Sequence, residues 1–160
     1  MSDFPAKILL ATDGSEDAAL AAQVSISLAK DTSAELQVVH VAEIYRIYLP
    51  RTGGPLPSAQ TDEEAKKEHQ ALLDYEVERI KQAGENVAKA HLRVGKPAEE
   101  ILRESEEIIA GLIVVGNQGL GRKFSRMKRF LMGSVSERVT TYARCSVMVV
   151  RRDLYERPPA

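Results

Sequence analysis

The spacing of apolar residues along this chain switches repeatedly between two and about 3.6, the mark of strands alternating with helices. Lys7 to Thr12 (KILLAT) is a short apolar run that ends in Asp13-Gly14-Ser15. Ser15 suits a helix N-cap, and Glu16 and Asp17 complement the positive end of a helix dipole. A helix is therefore predicted to about Lys30. Ala18, Ala22, Ile26 and Ala29 form one apolar row of it, and Leu20, Val24 and Leu28 a neighbouring row. Leu36 to Val41 (LQVVHV) reads as the second strand. The connection after it, about twenty residues long, carries Tyr45, Tyr48, Pro50, Gly53, Gly54, Pro55 and Pro57. Connections of that length in a compact domain are usually functional or disordered, so residues 42–60 are a candidate lid or partner contact.

Helical spacing returns from Asp62 to Ala83, with Leu73, Val77 and Ile80 on one side, and Gly84 supplies a natural stop. Val87 to Val94 alternates, setting Ala88, Ala90, Leu92 and Val94 against Lys89, His91 and Arg93. That pattern predicts an edge strand with one wet face. Pro97 opens a helix carrying Ala98, Ile101 and Leu102. Gly111 to Gly116 (GLIVVG) is an apolar strand suited to the interior of a sheet. Ser134 to about Ala143 is a last helix and Ser146 to Val150 (SVMVV) a fifth strand.

Strands separated by helices require crossover connections, which are right-handed and give a parallel sheet covered on both faces. The predicted fold class is therefore α/β, one domain over residues 1–151, with a frayed tail over 152–160. In open sheets of this kind ligands bind beyond the carboxyl ends of the strands. Asp13, Val41 and Gly116 stand at three such ends.

Composition narrows the reading without redirecting it. A chain of 160 residues with 44% apolar and 28% charged residues and a net charge of −1 is one ordinary domain with no global preference for polyanions. Any phosphate site must be local. No segment reads as a signal or a membrane span, and Cys145 is the only cysteine, so a cytoplasmic protein without internal disulfides is expected. Cys145 is read as a small buried hydrophobe.

The chemistry concentrates in Val114 to Val139, VVGNQGLGRKFSRMKRFLMGSVSERV. Gly116, Gly119 and Gly121 follow an apolar strand, where glycine permits positive φ and close approach of backbone to a ligand. Gly133 and Ser134 precede a helix, whose N-terminal amides and dipole suit an anion. Between them lie Arg122, Lys123, Arg126, Lys128 and Arg129. Each feature has a plain structural alternative. Ser134-Val135-Ser136-Glu137 has the form of a capping box, glycines after a strand make turns, and a basic run is commonly a solvated surface. Their succession favours a polyphosphate.

These residues resemble the universal stress protein family. The resemblance rests on Thr12-Asp13-Gly14-Ser15 after the first strand, Gly-Lys-Pro-Ala-Glu-Glu-Ile-Leu at the third helix, and VVGNQG with MGSVSERV followed by CSVMVV. It covers nearly the whole chain. The family's ATP-binding branch carries a glycine, two residues, a glycine, nine residues and a Gly-Ser or Gly-Thr pair. Gly116, Gly119, Gly133 and Ser134 occupy these places, but thirteen residues separate Gly119 from Gly133, so the loop is enlarged by four.

The resemblance implies that Ala11, Thr12 and Asp13 line an adenosine pocket and that Val41 contacts adenine. It further implies that Gly116, Asn117, Gly119, Gly121, Arg122, Gly133, Ser134, Val135 and Ser136 meet ribose and phosphates. ATP, or ADP or AMP, is the implied ligand, with Mg²⁺ as the expected companion of a triphosphate. Strand order 3-2-1-4-5 and a homodimer through Ser146 to Val150 follow from the same resemblance, as does a role as a stress-response sensor.

The rivals are weaker. G-x-x-x-x-G-K-[ST] and the dinucleotide fingerprint are absent, and TDGSE follows the first strand. His40, His69 and His91 show neither metal-ligand spacing nor pairing with a nucleophile, and are read as structural or solvent-facing. Ser134 and Ser136 lack a G-x-S-x-G elbow, so no catalytic residues are assigned and slow ATP hydrolysis is the most that is expected. A nucleotide-free interaction module of the same fold is the alternative. Nucleic-acid binding by residues 122–129 ranks below both, because stacking aromatics are scarce.

Overall fold

The sheet is built from five strands whose inward residues must be apolar on both faces, because helices cover both. In the computed structural model, which describes residues 3–43, 62–118 and 132–151, the elements are β1 (Lys7–Ala11), α1 (Glu16–Thr32), β2 (Glu35–Ala42), α2 (Asp62–Gln82), β3 (Val87–Val94), α3 (Pro97–Glu107), β4 (Leu112–Gly116), α4 (Ser134–Tyr142) and β5 (Ser146–Val150). All pairings are parallel, in the order β3-β2-β1-β4-β5. The single α/β domain and the strand order expected from the sequence are both present. No described helix is long and apolar enough to cross a membrane.

Strand alternation divides the core in two. Ile8, Leu10, Leu36, Val38 and Val114 pack with α1 and α2, against Ala21, Leu73 and Ile80. Leu9, Val39, Ile113 and Val115 pack with α3 and α4, against Ile101 and Val139. Cys145 is part-buried beside this second cluster, and burial pushes its thiol pKa up, consistent with a packing role.

The face of α1 differs from the one expected. Apart from Asp17, its buried residues are small: Ala18, Ala21, Ala22, Ser25 and Ala29. Leu20, Val24, Ile26 and Leu28 are half-buried flanks. Small side chains let the helix axis approach the sheet, and the larger ones seal its edges. Ser15 is the N-cap, its hydroxyl accepting from the Ala18 amide at 3.1 Å.

The edge strand β3 is at the edge, but of its polar side only Lys89 is exposed. His91 donates to Gln37 Oε1 at 2.8 Å and pairs with Glu104 at 3.1 Å. Arg93 reaches Glu100 at 2.8 Å, Glu104 at 2.6 Å and Glu107 at 3.0 Å. His91 and Arg93, expected to face solvent, thus anchor α3, while Ala88, Ala90 and Val94 are exposed. Alternation identified two faces but could not say which one a charged helix would cover. The Arg93 guanidinium holds the Glu107 carboxyl below the usual carboxylate range.

Helices α2 and α3 end in the same hydrogen-bonded loop. After α2, Gly84 donates to Lys81 and Glu85 to Ile80; after α3, Ile109 donates to Glu106 and Ala110 to Ser105. Both pivots are left-handed, Gly84 at φ 85° and Ile109 at φ 55°. Glycine takes this conformation freely, whereas a β-branched residue is strained there. Ile109 is 83% exposed and has little packing to lose. Ile109→Gly should therefore raise stability by about 1 kcal/mol, the left-handed strain exceeding the entropy cost of glycine. A rise in Tm of roughly 2–4 °C in thermal unfolding checks this; an unchanged or lower Tm contradicts it.

Candidate functional site

At the carboxyl ends of β1, β2 and β4 lies a cleft of about 640 Å³. Ala11, Thr12, Asp13, Val41, Gly116, Asn117, Gly133, Ser134, Val135 and Ser136 all line it. The other three residues expected at the site, Gly119, Gly121 and Arg122, lie outside the described residues, as do the basic run to Arg129, the connection Tyr45 to Pro57 and the tail from Arg152. One wall is apolar, made by Val39, Val41, Pro97, Ile101, Val115 and Val135. The opposite end is polar. A second depression, of about 760 Å³, lies beside β3 and α3, and the Arg93 ion-pair network with Glu100, Glu104 and Glu107 forms part of its lining.

The turn after β1 is fixed by its own side chains. Asp13 Oδ1 accepts from the Ser15 amide at 2.9 Å, and Thr12 Oγ1 accepts from the Gly14 amide at 3.3 Å. Gly14 sits at φ 77°, a conformation such a turn reserves for glycine. Asp13 therefore holds this turn while also lining the cleft.

The glycines are explained by packing. Neither Gly116 nor Gly133 has positive φ. A Cβ on Gly116 would sit 2.8 Å from the carbonyl carbon of Asp17 and 3.0 Å from the Ala18 amide nitrogen. Gly116 thus admits the N-terminus of α1 beside the end of β4. Asp17 then accepts from the Gln118 amide at 2.9 Å, pinning the start of the loop that leaves the strand. The sequence reading gave Asp17 only a helix-end charge. Its place beside Ala18 on the buried face was the signal for more.

The Asn117 backbone joins three elements. Its amide donates to Val150 at 3.0 Å, and its carbonyl accepts from the Gly133 amide at 2.8 Å and from Ser136 Oγ at 3.1 Å. A Cβ on Gly133 would lie 2.6 Å from that carbonyl oxygen. Gly133 itself is the N-cap of α4, at φ −63° and ψ 153°, with no capping side chain. The capping box suggested by Ser134 and Glu137 is therefore not formed. Ser134 is the first helical residue, with its side chain exposed. Ser136 is 2% exposed and its hydroxyl is turned inward, within 3.0 Å of the Gly133 carbonyl. The first turn of α4 consequently lines the cleft at the positive end of the helix dipole, with no side-chain cap among the described residues. Asn117 Oδ1 is also buried without a partner.

Two histidines read from the sequence as unrelated meet at the polar end. His40 Nδ1 is 2.7 Å from the Thr12 carbonyl and its Nε2 is 2.8 Å from His69 Nδ1. Burial lowers the His40 pKa below the ordinary imidazole value, against the opposing pull of the Thr12 carbonyl.

The model of the universal stress protein family matches residues 6–151. The chain belongs to the universal stress protein family. Universal stress protein YxiE of Bacillus subtilis is 34% identical over 150 residues, covering 91% of this chain and 98% of that protein. Two solved structures share the fold at 24% identity. One is a universal stress protein in complex with cAMP, with a TM-score of 0.64 over 92% of this chain and 97% of the other. The other is the universal stress protein of Archaeoglobus fulgidus in complex with dAMP, with a TM-score of 0.62 over 91% and 97%.

The capping geometry makes a direct prediction. Ser134→Ala should change stability by less than about 0.5 kcal/mol, as expected of a surface residue that caps nothing. Gly133→Ala should cost roughly 1–3 kcal/mol, because its methyl group is forced against a backbone oxygen. Denaturant unfolding of the two variants measures both. A loss of about 1 kcal/mol for Ser134→Ala, the usual cost of removing a cap, contradicts the assignment.

Proposed function

We propose that this universal stress protein binds an adenine nucleotide, ATP in its working state, in the cleft at the ends of β1, β2 and β4, and that loaded and empty forms are its regulatory output. The observation that carries the reading is the N-terminus of α4, where among the described residues no side chain caps the amides of Ser134, Val135 and Ser136. The purine would lie on the apolar wall of Val39, Val41, Ile101 and Val115, beside Ala11 and Thr12. Asp13, in this reading, faces the ribose. Asn117 Oδ1, buried without a donor, is matched by a sugar hydroxyl or an ordered water.

Two neighbours of the same fold hold adenine mononucleotides, cAMP and dAMP, which supports the base class and leaves the number of phosphates to this chain's own residues. The preference for ATP rests on Gly119, Gly121, Arg122 and the basic residues after them, which would extend the phosphate path beyond the helix terminus. Mg²⁺ enters the reading as the counter-ion of a triphosphate. Among the described residues no cluster of three His, Cys, Asp or Glu would hold a metal alone. The regulatory part of the proposal also involves a second copy. β5 is an edge strand with no neighbour on its outer side among the described strands, so dimerisation through Ser146–Val150 is proposed with nucleotide binding.

Native protein denatured after purification should release ATP, ADP or AMP, and nucleotide-stripped protein should bind about one ATP per chain in calorimetric titration. Gly133→Val should weaken binding at least about tenfold, corresponding to roughly 1.4 kcal/mol of lost contact. Stripped wild-type protein that ignores millimolar ATP, ADP and AMP contradicts the proposal and favours the interaction-module alternative.

A further inference from the structure

His40 is 4% exposed, on the face of β2 opposite the apolar wall of the cleft, and α2 brings His69 over it. Their rings are 5.0 Å apart and tilted by 32°. Three facts fix the proton positions. A carbonyl oxygen only accepts, so the 2.7 Å contact to Thr12 requires a proton on His40 Nδ1. In a neutral ring His40 Nε2 is then an acceptor. The 2.8 Å contact to His69 Nδ1 consequently needs a proton on His69 Nδ1. The result is a directed chain in which His69 donates to His40 and His40 donates to the Thr12 carbonyl.

The far end of that chain is the peptide joining Thr12 to Asp13. Thr12 is buried, its amide donates to the Val39 carbonyl at 3.0 Å, and Asp13 anchors the following turn. The plane of the Thr12–Asp13 peptide decides where the Asp13 carboxylate points into the cleft. His40 is the side chain seen to hold the carbonyl of that peptide.

We propose that His40 and His69 are positioning residues for the nucleotide site, a two-imidazole strut from α2 that fixes the Thr12–Asp13 peptide and so presents Asp13 to the ligand. The proposal rests on the adenine-nucleotide reading above. Both residues border the cleft, and the strut requires neither ring to touch the ligand. Burial favours the neutral form of His40 on which the directed chain depends, while Asp13 and Glu76 oppose that preference and the neighbouring His69 reinforces it. Glu76 is itself buried on α2, about two helical turns from His69, with Arg79 at 3.5 Å.

Two variants and one spectrum test the strut. An Asn side-chain amide can place its NH₂ close to where the Nδ1–H of histidine stands, so His40→Asn keeps the donor to Thr12, whereas His40→Leu removes it. Titrated with AMP and ATP after thermal unfolding has confirmed that each is folded, His40→Leu should bind about tenfold more weakly than wild type, and His40→Asn within about threefold of it. His69→Ala, at the half-buried outer position, covers the case in which His40→Leu does not fold, and should weaken binding by at least about threefold. In long-range ¹H–¹⁵N spectra of the neutral protein, both His40 and His69 should carry their proton on Nδ1. Wild-type binding with equal affinity in folded His40→Leu or His69→Ala overturns the strut alone. An Nε2–H tautomer at His40 does the same. A wild type that binds no adenine nucleotide overturns the nucleotide reading together with the strut.

Discussion

The backbone carbonyl of Asn117 is where the two halves of the cleft are joined. It leaves the end of β4 and accepts both the amide of Gly133 and the hydroxyl of Ser136, so the strand end and the start of α4 close on each other across a long insertion. Those two bonds need the Gly133 position to be without a Cβ, since any would lie 2.6 Å from the oxygen they share. With glycine as N-cap, no side chain among the described residues caps the first-turn amides. One steric requirement therefore produces both the joint and the open donors. The same economy recurs at Gly116, whose missing Cβ admits α1 and lets Asp17 reach the Gln118 amide.

What surrounds the joint keeps its geometry. Burial of Leu9, Val39, Ile113 and Val115 sets β1, β2 and β4 side by side, and each such side chain contributes about 1.5–3 kcal/mol when fully removed from water. The Arg93 network ties β3 to α3, which holds Pro97 and Ile101 at the apolar wall. Its value lies in orientation, since ion pairs taken out of water return little net stability. The polar end has its own brace in the two histidines and the turn of Thr12 to Ser15.

Much of this was legible in the sequence, for identifiable reasons. Helical spacing located the long helices, alternation located β3, and KILLAT and GLIVVG were recognisable as buried strands by their continuous apolar runs. The strand order came from the family resemblance, because periodicity carries no information about which strands are neighbours. The positions of Gly116 and Gly133 were legible, but their reason was not: a sequence cannot distinguish a glycine that admits a ligand from one that admits a helix. Ser134 was offset by one residue from the cap, a displacement within the usual uncertainty of helix ends. The polar face of β3 looked wet because the pattern of a single strand does not contain the charges of α3. His40 and His69, twenty-nine positions apart, share no spacing that could reveal their contact.

The central claim is that free main-chain amides at the start of α4 receive an adenine nucleotide's phosphate. Backbone amide NMR of the labelled protein, titrated with AMP, examines those groups one by one. The account predicts the largest shifts at Ser134, Val135 and Ser136, with smaller ones at Asp13 and Val41 and none along β3 and α3. Saturating AMP that leaves the α4 amides unmoved, or moves chiefly the groove beside Arg93, would contradict it.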